Sequence, residues 1–170
     1  MMEKKPVEYW VKKLELMPHP EGGYFKQTYI SNEKIDKEAL PDRYAGKRAF
    51  STAIYFLIES GNFSAFHKIA SDELWHFYYG DSMVVHIIHP DGAREDIHLG
   101  SNADEGEVFQ AVVPAGTWFG SRMKEGNEYA LVGCTVAPGF DFEDFELAKY
   151  NELTATYPEH EALISKLTRQ

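Results

Sequence analysis

The chain has 170 residues, 44% of them apolar, and a formal net charge of −10. That length suits one hydrophobic core and is short for two. The acidic balance, with Lys and Arg scattered, lacks the basic footprint that nucleic-acid binding needs, and no apolar run approaches the length that crosses a bilayer. Neither a nucleic acid nor a membrane is therefore an expected partner. The opening Met1-Met2-Glu3-Lys4-Lys5-Pro6 has no apolar stretch of the signal-peptide kind. The single cysteine, Cys134, cannot form an internal disulfide and reads as a small buried hydrophobe, so a cytoplasmic protein is expected.

Residues 6–14 predict a short helix, because Val7, Trp10, Val11 and Leu14 recur on one face, and Pro18 and Pro20 end it. In His19-Pro20-Glu21-Gly22-Gly23-Tyr24-Phe25 the paired glycines permit a sharp turn or a close backbone approach, and an aromatic strand follows. Glu21 and Tyr24 beside that turn are candidate site residues; the plainer reading is a surface carboxylate and a packed ring. Ser31 to Lys47 is polar without period and reads as an exposed excursion. Phe50 to Ile58 is a long apolar strand.

The stretch from Gly61 to Gly80 carries the candidate chemistry. Alternation from Phe63 puts Phe63, Ala65, His67 and Ile69 on one face of a strand. Ala70-Ser71-Asp72 breaks it, and Glu73 opens an aromatic strand that a turn at Gly80-Asp81 closes. Adjacent antiparallel strands would bring His67 and Glu73 towards one interior. A carboxylate on an otherwise aromatic strand is costly to bury unless it is paired or working. His76 lies an odd number of residues from Glu73, so it joins that interior only if a bulge intervenes.

Met83–His89 and Arg94–Leu99 form a hairpin around His89-Pro90-Asp91-Gly92, with His86 opposite Glu95. His86, His89 and His98 read as structural or surface residues. Strands follow at Glu107–Val113, Thr117–Arg122 and Glu128–Val136, then a helical region from Phe142 and a last helix near Pro158 burying Leu163, Ile164 and Leu167. The acidic stretches 102–107 and 141–146 read as solvated loops. Many short strands with helices only at the ends are the pattern of a sandwich or jelly-roll barrel.

The spacing Gly61-x5-His67-x-Ile69-x3-Glu73-x6-Gly80 resembles the first motif of the cupin superfamily, and Pro114-Ala115-Gly116 resembles the core of the second. A metal-binding cupin has two His and a Glu in the first motif and a His in the second. Here Ile69 and Phe119 stand at two of those four places, leaving His67 and Glu73, with His76 as a substitute if it turns inward. The segments 19–25, 66–78, 113–118 and 131–148 resemble an uncharacterised family of single-domain cupins grouped with epimerase-like members. Gln27 and Ile30 depart from its usual Glu and Arg. The resemblance implies an all-β cupin jelly-roll β-barrel, or double-stranded β-helix, over residues 1–170, with short N- and C-terminal helices. It further implies a homodimer formed through edge strands and an interior pocket for a small-molecule ligand.

These residues suggest an isomerase or epimerase that acts on a sugar-like carbonyl compound with no metal and no other cofactor. His67 is then the base, Glu73 orients it or holds its charge, and His76 or Tyr24 is the acid. Trp118 walls off the substrate, with Glu21, Gln110, Trp75 and Phe77 as further binding residues. Two alternatives stand beside this: a non-catalytic metabolite-binding protein, and a metal-dependent enzyme rescued by His76.

Overall fold

A computed structural model describes residues 4–169. The chain runs α1 (Val7–Lys13), β1 (Met17–Pro18), β2 (Tyr24–Ile30), β3 (Lys34–Ile35), β4 (Arg48–Ala49), β5 (Thr52–Glu59), β6 (Phe63–Lys68), β7 (Asp72–Gly80) and β8 (Met83–Ile88). It continues as β9 (Arg94–Leu99), β10 (Gln110–Val113), β11 (Trp118–Met123), β12 (Tyr129–Ala137), β13 (Glu146–Leu147), α2 (Tyr150–Thr156) and α3 (Glu161–Lys166). One sheet has the order β1-β2-β5-β12-β7-β10 and the other β13-β6-β11-β8-β9. Two antiparallel sheets with these non-sequential neighbours make the jelly roll of a cupin. Among the described residues no helix is long and apolar enough to cross a membrane.

The main core lies between the sheets. Phe56 and Ile58 of β5, Trp75 of β7 and Val132 and Cys134 of β12 meet Met83, Val85 and Ile87 of β8 and Phe119 of β11. Alternation explains which side chains turn inward. The outer faces are partly covered by the terminal helices. Val7, Trp10, Val11 and Leu14, the predicted face of α1, pack with Leu57, Tyr129 and Leu131. Leu163, Ile164 and Leu167 close over Phe66 and Ile88 on the other sheet. Burial on both sides is why every residue of β8 is inaccessible, without the alternation of a half-exposed strand.

Three expectations need correction. Ser64, not Ala65, shares the inner face with His67, because β6 carries a bulge: Phe119 and Ser121 of β11 pair with His67 and Ser64, so three residue steps oppose two. Phe63 is thereby sent to the outer cluster, where Phe66 also packs. Gly120 sits against the bulge, where a Cβ would lie 2.9 Å from the Ser64 carbonyl oxygen. His86 pairs across the hairpin with Asp96, at 2.7 Å, and not with Glu95, which meets His89 instead.

The third correction concerns 141–146, which is not a solvated loop. The buried Arg48 guanidinium donates to both oxygens of Asp144 at 2.7 Å, a bidentate clamp. β13 then pairs with β6 beside His67. The excursion before Arg48 is likewise partly packed, since Tyr44 is buried with its hydroxyl 2.8 Å from Ser71 Oγ. Together these fasten the 140–147 segment across the mouth of the barrel.

Candidate functional site

A cavity of about 260 Å³ opens at that mouth, between β2, β5, β6, β7, β12 and the 140–145 segment. His19, Glu21, Gln27, Thr52, His67, Glu73 and Asp141 are its polar lining, and Phe25, Phe140, Phe142 and Phe145 its aromatic walls. The turn before β2 delivers Glu21. Gly22 has φ of 115°, and a Cβ there would lie 2.0 Å from the Phe63 carbonyl oxygen. Only glycine lets this turn press against β6. The Ala65 N–H then donates to the Glu21 carbonyl at 2.8 Å, and the Arg169 guanidinium holds the same carbonyl from the C-terminus.

Glu21 is the partner of His67. Its Oε2 lies 3.0 Å from His67 Nε2, and its Oε1 accepts from the Ser64 hydroxyl at 2.8 Å. The other imidazole nitrogen, Nδ1, lies 2.7 Å from the Ala65 carbonyl oxygen, so it must carry a proton. With both nitrogens facing acceptors, the consistent state is a buried imidazolium paired with a carboxylate. Burial alone pulls the His67 pKa down, but the charge and hydrogen bond of Glu21, aided by Glu73, raise it. For Glu21 burial pushes upward, and His67 outweighs it, so its pKa is lowered.

Glu73 stands apart from that pair. Burial is the largest influence on it, and the nearby Glu21 charge adds to it against the pull of His67, so its pKa is raised to about 7. Its neighbour Cys134 is held as a neutral thiol, burial first and the Glu73 charge second raising its pKa far above the ordinary value. The buried Trp75 indole nitrogen close by completes no hydrogen bond of ordinary geometry among the described residues. His19 is the opposite of His67. Its Nδ1 accepts from the Glu21 N–H at 3.2 Å, and burial lowers its pKa, so the ring is neutral.

Of the residues singled out in the sequence, Glu21, His67 and Glu73 meet in the cavity. His76 does not. A bulge exists in β7, but it falls at Tyr78, where Phe77 and Tyr79 oppose successive residues of β12. The strand is regular from Glu73 to His76, so His76 faces outward, bonded to Gln110 at 3.1 Å and Thr135 at 3.2 Å. Gln110 is thus outside too. Tyr24 packs with the α1 cluster, and Trp118 lies beneath the C-terminal helices with the Lys68 ammonium 4.5 Å from its ring centre. Trp75 and Phe77 point into the core without lining the cavity.

Sequence reasoning missed Gln27, Thr52, His19, Asp141 and the phenylalanines of 140–145. The alternation of Phe and acid in Phe140-Asp141-Phe142-Glu143-Asp144-Phe145 was the available signal, since a purely solvated loop has no use for three rings.

The donor set does not suit the metal centre of a metal-binding cupin. Ile69 lines the cavity where a second His would stand, and Phe119 packs its ring 4.1 Å from that of His67. Both imidazole nitrogens of His67 are engaged by protein acceptors. Among the described residues no group of three or more His, Cys, Asp or Glu is arranged to hold a metal ion.

Fold and site together define a cupin in which apolar side chains fill two of the four usual ion-binding positions and whose interior holds a carboxylate–imidazolium pair. Residues 8–148 match the family described as "Cupin superfamily (DUF985)", and the chain belongs to that family. It is 33% identical over 144 residues to the uncharacterized protein YML079W of Saccharomyces cerevisiae, spanning 79% of this chain and 71% of that one. A hypothetical protein from Leishmania major superposes with a TM-score of 0.87 at 34% identity, over 98% of this chain and 100% of that one. Protein SO0799 from Shewanella oneidensis gives 0.87 at 38% identity, over 99% of each chain.

Proposed function

We propose that the cavity binds a small carbonyl compound and shifts a proton at the carbon beside the carbonyl, as an isomerase that uses no metal. The observation that carries this reading is Glu73, an enclosed carboxyl group with a pKa of about 7, suited both to take and to return a proton at neutral pH. The Glu73 carboxylate takes the proton from carbon, and the electron pair moves onto the carbonyl oxygen as an enediolate. The same carboxyl group then returns the proton to the former carbonyl carbon, while the neighbouring hydroxyl passes its proton to the enediolate oxygen and becomes the new carbonyl. Thr52 and Gln27 are the hydrogen-bond donors available to that oxygen, and the His67 charge favours the negative intermediate.

This differs from the roles expected from sequence, in which His67 was the base. An imidazolium engaged at both nitrogens has no lone pair to offer. A two-base epimerisation needs a second proton carrier, and neither the neutral His19 nor the Cys134 thiol suits that task. The engagement of His67 also favours the second reading, a barrel that binds a metabolite without chemistry. Screening neutral, amino and phosphorylated sugars in deuterium oxide separates the two. Isomerisation predicts deuterium incorporated at carbon in a bound compound, lost by 10²–10⁴-fold in Glu73→Gln. Binding without exchange in every bound compound leaves only the second reading.

The homodimer is proposed on a different face. Leu74, Tyr78 and Val112 are between 36% and 53% exposed on the outer side of β7 and β10, and β10 is an edge strand. An apolar patch along an unpaired edge suits a second copy. Val112→Lys is expected to weaken self-association by about 100-fold, as removal of a central contact does. Sedimentation of wild type as a monomer at micromolar concentration would dismiss the dimer.

A further inference from the structure

The charges in the cavity do not balance. Glu21 and His67 neutralise one another, His19 is neutral, and Cys134 is a neutral thiol. Glu73 and Asp141 remain, and among the described residues no Lys or Arg lines the cavity. The Arg48 guanidinium feels the Asp141 charge but is committed to Asp144 through both oxygens, and the Arg169 guanidinium is spent on the backbone carbonyls of Glu21 and Phe63 and on the Asn62 side chain. One oxygen of Asp141, Oδ1, accepts from the Glu143 N–H at 2.9 Å, as the cap of a short turn. Its Oδ2 takes no hydrogen bond from the described residues.

Around these carboxylates stand the rings of Phe25, Phe140, Phe142 and Phe145. The last three touch one another at centroid distances of 4.9, 5.9 and 6.4 Å. Ring faces attract cations and offer nothing to an anion. Low local polarity strengthens both effects. At about 260 Å³ the cavity is also smaller than those that hold drug-sized ligands, which begin near ~300 Å³, so it suits a single-ring or short-chain compound.

We propose that this cavity selects a small molecule carrying a positive charge, an amino-substituted carbonyl compound in the isomerase reading on which this rests, and refuses phosphorylated and nucleotide-linked sugars. Uncompensated carboxylates among aromatic walls supply the selection. A cation also gains from ionised Glu73, whose pKa of about 7 is set first by burial and then by the opposing charges of His67 and Glu21, with Cys134 and Trp75 beside it. Cation affinity therefore rises with pH as Glu73 loses its proton.

The test uses three probes of one shape: choline, its uncharged carbon isostere neohexanol, and the tert-butylacetate anion, each titrated calorimetrically into the full-length protein. At about pH 8 choline is expected to bind more than ~10-fold tighter than neohexanol, with tert-butylacetate weakest, and the preference to shrink towards pH 6. Asp141→Asn keeps the turn cap and is expected to cut choline binding several-fold while leaving neohexanol unchanged. Equal or tighter binding of the anion overturns the proposal. So does a choline preference that Asp141→Asn and Glu73→Gln leave intact, or failure of choline to bind at millimolar concentration. Choline selectivity without deuterium exchange into any bound sugar would remove the isomerase and keep the cation site. Exchange into a phosphorylated sugar would do the reverse.

Discussion

Glu73→Gln is expected to make the protein more stable at about pH 8, by about 3 kcal/mol, and to leave its stability nearly unchanged near pH 4. The folded-state pKa of Glu73 is about 7 against an ordinary 4.5. The native protein therefore holds a proton more tightly than the unfolded chain does. Between those two values the unfolded chain has lost that proton while the native state keeps it, so stability falls as pH rises and the loss is complete above 7. Gln imitates the neutral carboxyl group and escapes this cost. Urea unfolding across the pH range reads the effect directly; a gain of equal size at pH 4 and pH 8 would contradict it. A residue that destabilises its own protein at working pH and yet has proton-transfer properties is the pattern of a functional group.

The second large effect runs the other way. Glu21→Ala leaves a buried imidazole without its hydrogen-bonded counter-charge, and breaking one side of such a pair is expected to cost about 3–5 kcal/mol. The pH profile follows from both shifts. Glu21 is depressed, so its contribution is present above the ordinary 4.5 and lost as pH falls through its lower folded value. His67 is raised, so its contribution is full below the ordinary 6.5 and lost as pH rises through its folded value. The pair is therefore strongest between about pH 4.5 and 6.5, and Glu21→Ala should differ most from wild type there. Nitrogen NMR of the ring supplies an independent reading. Wild type should remain an imidazolium beyond pH 6.5, whereas the variant should show a neutral ring protonated at Nδ1. A wild-type His67 that titrates at its ordinary value would sink this account of the site.

Much of the barrel was legible in the chain because strand periodicity and turn chemistry are local. The hairpin from Met83 to Leu99 followed from a Pro-Asp-Gly turn between apolar runs, and the α1 face from four residues at helical spacing. The role of Gly22 was legible in kind, since a paired glycine announces an unusual backbone approach, but what it approaches was not. The bulge in β6 escaped notice because it depends on Gly120, more than fifty residues away, making room for an extra residue. One added residue reverses the facing of everything before it, which moved Ser64 inward and Phe63 outward.

The cavity was harder still. Glu21 and Asp141 come from opposite ends of the chain, and nothing within five residues of either says that it lines one cavity with Glu73. The acidic run after Phe140 has the composition of a solvated loop. Arg48, whose own neighbourhood is unremarkable, turns it into a fastened wall by engaging Asp144. His76 illustrates the reverse case: a tempting position by sequence, kept outside because the β7 bulge falls two residues too late.

By itself the amino-acid order determined a strand-rich cupin, the positions where side chains alternate, and the loss of two ion-binding places to Ile69 and Phe119. Only the tertiary structure decided that His67 answers to Glu21, that Glu73 is left without a counter-charge of its own, and that aromatic rings and an aspartate close the mouth. The reason is physical: periodicity records which way a side chain leaves its own backbone, whereas charge state and pairing depend on groups that distant segments carry into the same few ångströms.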